Sequence, residues 1–515
     1  MAAPGVQLLD LPNELLIAIF EHIPPRSLLA LPQLCRRLHY CSLPIYFSQL
    51  GMKDVSESAE AFIRQDGIDT LFALQIALFL SQIARLSIHL PAAGEGNEGN
   101  AARDLTRHVS RIASLISKLN SVRELTIVWS DDLIAVEDLN ASGIAASLEI
   151  ILNTALERGC SLLSMRNGQF FSIGPNTLRP SGTINAVRTA TQKILPMGER
   201  GESWKDARIG RLADSTVHSL RFNLHGKRPV LTRFNIESTL LVLPPTVHWT
   251  LSAMRYSPIL TLELRGLSLT TRQWIALLPL IADLVPDLSS LTLEDLHGIP
   301  GTEILLFLSK LPRLKWLQIG YTEYDHAQSS CPDSSPIPRL NHLEYLHAPS
   351  SFITHFLKKR SRMPNLKSLT VTPRKLITGY RGLRHIRQFL CDIARRLRKL
   401  KMSPEVCLEM SCGRYLDRDL RMDLVEPLGE DLAKAVCTVS RLVVYLESEL
   451  ITEEELETLA KWIQRFSRLS HVALRRPRHS TNTLRWATAE TASALSNRIS
   501  LVELELDGIV FDQIE

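Results

Sequence analysis

A short pattern of apolar residues recurs along most of the chain and limits what it can fold into. An apolar residue is followed three positions later by a second and two positions after that by a third, as in Leu314, Leu317 and Ile319. The last two positions of the pattern lie on one face of an extended strand. The pattern occurs thirteen times, and its first residues are Ile83, Val122, Cys160, Val217, Ile259, Leu288, Leu314, Leu343, Leu366, Leu397, Val439, Leu469 and Leu501.

Segments with the apolar spacing of amphipathic helices lie between the predicted strands. The clearest of them cover residues 103–119, 139–158, 302–311, 381–397 and 452–466. The last begins with a capping box, because Thr452 precedes Glu455 by three residues. Many successive turns of strand and helix predict an α/β solenoid, in which each repeat contacts its neighbours. A doubly wound α/β domain also alternates strand and helix and is the main alternative.

The spacing of the pattern predicts an irregular solenoid. Successive patterns start between 23 and 57 residues apart. The widest interval is rich in Gly, Pro and Ser, and it predicts an excursion from the repeats at about residues 166–215. A second loop is predicted at residues 323–338, which are also rich in Ser and Pro.

The N-terminal stretch from Leu11 to Leu50 contains three short helical signals. Pro12 suits the first turn of a helix, which we expect to stop at Pro24 and Pro25. A second short helix follows, then a basic third helix that Pro44 is expected to end. About forty residues seldom make a self-sufficient core, so some of the apolar side chains should face a partner.

The order of these features resembles the F-box, the motif that docks substrate receptors onto the Skp adaptor of Skp–cullin–F-box ubiquitin ligases. The resemblance is carried by Leu11-Pro12-x-Glu14-Leu15-Leu16, Ile19-Phe20, the Ile23 to Leu28 turn and the Leu34 to Leu38 run. It implies an F-box domain over residues 1–50. Two positions that often hold Trp in F-boxes hold Leu38 and Tyr46 or Phe47 here, as in many fungal members. The residues that the resemblance implies for adaptor contact are Leu11, Pro12, Leu15, Leu16, Ile19, Ile23, Pro24, Leu28, Leu31 and Leu34.

The recurring apolar pattern is similar to the core of leucine-rich repeats. This second resemblance implies an irregular leucine-rich-repeat-like domain over residues 51–515 that binds a protein substrate. Together the two resemblances imply the substrate-recognition subunit of a ubiquitin ligase. The cullin, the RING subunit and a ubiquitin-conjugating enzyme would then supply the chemistry, and this chain would be no enzyme and need no cofactor. An interaction scaffold with the same two parts, but without ubiquitin transfer, is the alternative.

Composition and cysteine spacing limit the other classes of function. The net charge of +5 over 515 residues is a faint basic bias, so nucleic-acid binding is not expected. The most apolar run, residues 71–80, is shorter than the roughly 20 residues that span a bilayer, so no membrane segment is expected. The eight cysteines form no Cys-x-x-Cys pair. Without a secretory signal they are interpreted as reduced thiols in the cytoplasm, the nucleus or both.

Two further motifs have a functional and a plainer interpretation. Gly94-Glu95-Gly96-Asn97-Glu98-Gly99 fits the glycine pattern of a dinucleotide site, and an enzyme built on residues 83–120 is a further alternative. Its two glutamates would repel a pyrophosphate, so a solvated loop is the preferred interpretation. Basic runs at residues 358–362, 395–401 and 475–478 could lie on one edge of the solenoid and bind an acidic or phosphorylated segment. Helix C-termini favour cations in any case, so a solvated surface is the plainer interpretation.

Overall fold

Helices and parallel strands alternate along the chain in a computed structural model. The structure describes residues 8–62, 68–90, 98–129, 144–167, 220–226, 228–243, 246–320, 338–358, 363–372, 380–412, 416–427, 429–446, 452–476, 495, 503–507 and 509–512. The chain divides into two compact units, Met1–Val285 (unit 1) and Pro286–Glu515 (unit 2). The predicted boundary near residue 50 between two domains stays a prediction.

Unit 1 begins with a group of helices: α1 (Asn13–Phe20), α2 (Pro25–Leu28) and α3 (Arg36–Gln49), with 3-10 turns at Leu8–Asp10 and Leu31–Gln33. Pro12 is the residue before α1, one position earlier than expected, and Pro24 holds the same place before α2. The expectation that Pro44 ends the third helix was wrong, because Pro44 lies inside α3. Pro44 is exposed, so water is near the position where its missing N–H interrupts the helical hydrogen bonds.

The rest of unit 1 is a parallel sheet with helices between its strands. The strands are β1 (Ser58–Ala61), β2 (Gln82–His89), β3 (Ser121–Val128), β4 (Leu162–Arg166), β5 (Arg233–Glu237) and β6 (Thr261–Arg265). The helices are α4 (Thr70–Ile76), α5 (Glu98–Lys118), α6 (Ile144–Glu157), α7 (Val247–Tyr256) and α8 (Thr271–Leu284), with a 3-10 turn at Thr239–Val242. Each strand pairs in parallel with the next strand along the chain.

Unit 2 repeats this arrangement. Its strands are β7 (Ser290–Glu294), β8 (Trp316–Ile319), β9 (Tyr345–Pro349), β10 (Ser368–Thr372), β11 (Glu405–Cys412), β12 (Val439–Leu446), β13 (His471–Arg475), β14 (Glu503–Leu506) and β15 (Ile509–Asp512). Its helices are α9 (Gly301–Ser309), α10 (Ser350–Phe356), α11 (Tyr380–Leu400), α12 (Leu416–Val425), α13 (Glu430–Val436) and α14 (Glu453–Ile463). Strands β7 to β14 pair in parallel and in sequence order, and β15 pairs antiparallel with β14.

The sequential strand order distinguishes between the two α/β architectures considered from the sequence. Crossovers between parallel strands are almost always right-handed, so strands added in one direction put their helices on one face of the sheet. Helices that follow one another do pack together, as α5 does with α6 and α11 with α12. A doubly wound domain reverses its strand order, and the described strands of each unit do not. The predicted strand-and-helix repeats are therefore confirmed.

Equivalent residues of the apolar pattern stack side by side on neighbouring strands. In unit 1, one buried row crosses the sheet through Ala59, Leu86, Leu125, Leu163, Phe234 and Leu262, each paired with the next. In unit 2, a similar row runs through Leu291, Leu317, Leu346, Leu369 and Val406. An isolated repeat could not bury these side chains, so the repeats stabilise one another.

Two of the thirteen predicted strands were wrong. In the pattern that begins at Val217, the two described residues, Leu220 and Phe222, lie outside any strand. The neighbouring pattern, from Leu231 to Ile236, forms β5 instead. The pattern at Leu397 lies at the end of α11, where Leu390, Ile393 and Leu397 are buried at helical spacing. A helical period sustained over many residues prevails over a six-residue match.

The predicted helices are confirmed within a few residues at their ends, apart from residues 139–143, which lie outside the described residues. The capping box before α14 is present, with the Thr452 and Glu455 side chains each accepting from the other's backbone N–H. Most of the predicted excursion at residues 166–215 lies outside the described residues, as does the loop at 323–338 except for its last residue.

Candidate functional site

Helices α1, α2 and α3 enclose a small core of their own. Leu16, Phe20, Leu28, Leu43 and Tyr46 are fully buried there. The rings of Tyr46 and Phe47 meet edge to face with their centroids 5.7 Å apart, an arrangement that stabilises aromatic pairs. These large side chains fill the interior, so the other apolar residues of the group remain at the surface.

Arg37 holds the N-terminal turn against α3. Its Nε donates to Asn13 Oδ1 at 2.9 Å, and its two terminal nitrogens donate to the backbone carbonyls of Leu9 and Leu11. The planar guanidinium can serve three acceptors at once because its donors form a fixed fork. Arg37 thereby fixes the position of the 3-10 turn, Leu8–Asp10, relative to the helices.

Gln49 joins the two ends of the helical group. Its Nε2 donates to the backbone carbonyls of Glu21 at 3.1 Å and Ile23 at 3.2 Å, where the chain leaves α1. Carbonyls at the end of a helix have no partner within that helix, so the amide of Gln49 satisfies groups that would otherwise need water.

His39 connects the helical group to the turn that follows α4. The backbone N–H of Leu78 donates to His39 Nε2 at 3.1 Å, so the proton of the neutral ring is on Nδ1, which faces the Pro32 carbonyl at 3.3 Å. The ring is buried and lies against Tyr40 and Phe79, with centroid distances of 5.6 and 6.3 Å.

Several large apolar side chains of the group are exposed. Leu15 is 51% exposed, Ile19 is 41% exposed and Leu34 is 71% exposed. Leu15 and Ile19 are four residues apart and share one side of α1, whereas Leu16 and Phe20, also four apart, fill the core. Leu8, Leu9 and Ile17 are exposed as well. Exposed apolar side chains clustered over so few residues are typical of an interaction surface.

The ten residues that the sequence suggested for adaptor contact fall into three groups. Pro12, Leu15, Ile19, Pro24 and Leu34 are exposed, and Leu11, Ile23 and Leu31 are partly buried. Leu16 and Leu28 are fully buried in the core of the group, so in this structure they pack beneath the exposed residues and are not themselves accessible to a partner. Sequence reasoning missed Leu8, Leu9 and Ile17. The signal for the first two was the pair of leucines, Leu8 and Leu9, which lies just before the motif that begins at Leu11.

The six cysteines whose side chains the structure describes are free thiols: Cys35, Cys41, Cys160, Cys391, Cys407 and Cys437. Cys160 Sγ donates to the Leu162 carbonyl at 3.0 Å, and burial raises the pKa of this thiol to about 12. Burial likewise raises the pKa of Cys407 to about 11. Thiols with such a high pKa are almost entirely protonated at neutral pH and make poor nucleophiles.

Metal centres, membrane spans and dinucleotide sites each need a particular arrangement of residues. Among the described residues, His, Cys, Asp and Glu side chains nowhere gather in a group of three or more that could hold a metal ion. None of the helices described combines the length and the apolar character needed to cross a membrane. Gly94, Glu95, Gly96 and Asn97 of the glycine pattern lie outside the described residues. The described strands of each unit follow one another in sequence order and offer no reversal point, where dinucleotide sites of doubly wound folds form.

Comparison with known proteins bears on the N-terminal helices. A search of curated proteins found no match for the chain. The family model described as F-box-like matches residues 8–47. The match starts at the exposed Leu8 and Leu9, spans the Arg37 contacts and ends at the buried Phe47. The N-terminal helices of this chain are therefore an F-box-like domain, a domain that serves protein–protein interaction.

Proposed function

We propose that the F-box-like domain docks this chain onto the Skp adaptor of a Skp–cullin–F-box ubiquitin ligase, and that the strand-and-helix repeats bind a protein substrate. The observation that supports docking most is the exposure of Leu15, Ile19 and Leu34 beside a core that is already filled. The cullin, the RING subunit and a ubiquitin-conjugating enzyme then supply the chemistry. The chain itself acts as a receptor in the cytoplasm, the nucleus or both, and it needs neither a catalytic residue nor a cofactor.

Burial of the exposed side chains supplies the driving force for docking. Apolar surface removed from water contributes about 25 cal/mol per Å², and fully burying one Leu or Ile contributes roughly 1.5–3 kcal/mol. A few such residues at the centre of an interface carry most of its binding energy. Leu15 and Ile19 on one side of α1 fit this role best, with Leu8, Leu9 and Leu34 as further candidates.

The hydrogen bonds of the domain keep its surface ready for binding. Arg37 fixes the turn that carries Leu8 and Leu9, and Gln49 fixes the end of α1. A surface that is ordered before it meets its partner loses less conformational entropy on binding. This arrangement therefore favours docking by a preformed surface over folding on contact.

The test is stepwise assembly of the purified complex. The chain is co-expressed with the Skp adaptor, and the cullin–RING pair is then added and followed by size-exclusion chromatography. We expect a chain–adaptor complex that takes up the cullin–RING pair. A stable chain–adaptor complex that excludes the cullin would favour an interaction scaffold without ubiquitin transfer over a substrate receptor. A folded chain that leaves the adaptor unbound would refute docking altogether.

A further inference from the structure

In unit 2, basic residues gather at the edge of the sheet where strands β8, β9, β10 and β11 begin. The four segments that lead into these strands are residues 310–315, 338–344, 363–367 and 398–404, all of which the structure describes, and the last of them includes the final turn of α11, residues 398–400. They contain one acidic residue, Glu344, and eight basic ones: Lys310, Arg313, Lys315, Arg339, Lys367, Arg398, Lys399 and Lys401. All eight are exposed. We call these four segments the basic edge.

The segments of the basic edge lie directly beside one another. The backbone N–H of Glu344 donates to the Lys315 carbonyl, that of Lys367 to the Glu344 carbonyl and that of Glu405 to the Lys367 carbonyl, each at 2.8 Å. Neighbouring strands are about 4.8 Å apart, so the four strand starts span roughly 14 Å. The net charge of +7 on these segments exceeds the +5 of the whole chain, so the remaining residues together carry a net charge of −2.

Part of the charge on the basic edge is neutralised nearby, and Glu405, the first residue of β11, is a further exposed carboxylate beside it. Arg313 pairs with Asp287 of the preceding turn, and Lys367 pairs with Glu344 at 2.6 Å. That hydrogen bond from Lys367 lowers the pKa of Glu344, and the charge of Lys315 acts in the same direction. In the described part of unit 2, Arg339, Lys399 and Lys401 have side chains without a hydrogen bond or ion pair.

The fold itself does not require these charges. Helix C-termini favour cations, which explains Lys310 after α9 and Arg398 and Lys399 at the end of α11. It does not explain Lys315 or Lys367, which come after the helix ends and directly before a strand. In unit 1, the turns leading into β2 and β6, residues 77–81 and 257–260, hold the same place in the repeat and contain no charged residue.

Two exposed aromatic side chains adjoin the basic edge. Trp316 follows Lys315 and is 43% exposed, and Tyr345 follows Glu344 and is 40% exposed. Their rings lie on neighbouring strands with centroids 5.2 Å apart. Trp and Tyr are the side chains most enriched where binding energy concentrates in protein interfaces, together with Arg.

We propose that the basic edge, with Trp316 and Tyr345, binds an acidic segment of a partner protein, with one large apolar side chain of that segment on the aromatic pair. An extended segment of four or five residues would cover the roughly 14 Å span. A protein segment is favoured over nucleic acid because the basic charge is confined to a span of roughly 14 Å, and the remaining residues carry no net positive charge that would hold a longer polyanion. The inference rests on the proposed function only in taking this partner to be the substrate; the binding itself does not depend on adaptor docking.

The test is fluorescence anisotropy with the full chain and three labelled probes. The probes are a short peptide of glutamates around one leucine, the same peptide without leucine, and an oligothymidylate of equal charge. We expect the leucine peptide to bind best and the Trp316→Ala variant to lose its preference for leucine. Equal or tighter binding of the oligothymidylate would overturn the choice of a protein segment, and no binding of the leucine peptide would overturn the proposal.

Charge-reversal variants locate the site. The edge variant combines Lys315→Glu, Lys367→Glu and Lys401→Glu, and the control variant makes the same change in charge elsewhere with Lys53→Glu, Lys434→Glu and Lys461→Glu. We expect the edge variant to bind the leucine peptide at least about tenfold more weakly and the control variant to lose much less. Equal losses of affinity for the leucine peptide in the edge variant and the control variant would overturn the proposal. Adaptor binding should be unchanged in the edge variant, so a failure of docking and a failure of this site are separable.

Discussion

Single side chains determine how the N-terminal domain presents its surface. Arg37 makes two hydrogen bonds to the segment before α1 and a third to Asn13, the first residue of α1, whereas its neighbour Arg36 is exposed on the same helix as Arg37. We expect Arg37→Ala to lower the free energy of unfolding by about 2 kcal/mol, because hydrogen bonds from a charged group are among the stronger ones. Urea unfolding should show this loss, and Arg36→Ala is the control. Equal effects of the two changes would contradict the role of Arg37.

The buried thiol of Cys160 provides a test of burial through pH. Burial raises its pKa from 9.0 to about 12, so folding favours the protonated thiol. Its contribution to stability is complete below pH 9 and is lost as the pH rises toward 12, by about 1.4 kcal/mol per pH unit. The destabilisation caused by Cys160→Ala should therefore shrink above pH 9 in urea unfolding. A pH-independent difference between the variant and the wild type would contradict the burial of this thiol.

At the scale of elements, helical spacing predicted α1 but not which of its two apolar sides is buried. Leu15 and Ile19 repeat every four residues, and so do Leu16 and Phe20, so both sides of the helix are apolar. Which pair is buried depends on where α2 and α3 lie, and that is a tertiary contact that spacing does not specify. For the same reason, the sequence alone does not separate the buried Leu16 and Leu28 from the exposed candidates.

A buried ionic network joins three helices of unit 2. Asp423 on α12 lies 2.5 Å from Arg387 Nε of α11, and its Oδ2 accepts from Trp462 Nε1 of α14 at 2.9 Å. Arg465, just after α14, donates to the backbone carbonyls of Asp423 and Leu424. The Asp423 side chain is almost completely buried.

Removing one partner of this network should be costly. We expect Asp423→Ala to lower the free energy of unfolding by about 3 kcal/mol, because it removes the buried carboxylate that Arg387 and Arg465 share, while Arg387 keeps its ion pair with Glu426. Asp392→Ala, which breaks the exposed pair with Arg395 on α11, should cost less than about 1 kcal/mol. Chemical denaturation of both variants makes the comparison, and a loss for Asp423→Ala no larger than for Asp392→Ala would contradict it.

At the scale of the whole molecule, the alternation of strand and helix could be predicted because it is repeated. Leu86, Leu125 and Leu163 stack across neighbouring strands, and each belongs to a separate copy of the same apolar pattern. A single copy of the apolar pattern predicts a strand less reliably. The end of an amphipathic helix such as α11 matches the same pattern by chance, and β1 and β11 lack an apolar residue at its first position. The gathering of basic residues at one edge of unit 2 needed the strand order, because its four segments are far apart in the sequence.

The most direct test of the account is the affinity of the chain for the Skp adaptor when the exposed residues of α1 are changed. Isothermal titration would compare the wild type with Leu15→Asp/Ile19→Asp and with Ile150→Asp/Leu306→Asp, whose residues are exposed apolar positions outside the domain. We predict that the α1 variant binds at least about thirtyfold more weakly, a loss of roughly 2 kcal/mol, and that the control binds as the wild type does. Unchanged affinity of a folded α1 variant would contradict docking through this surface.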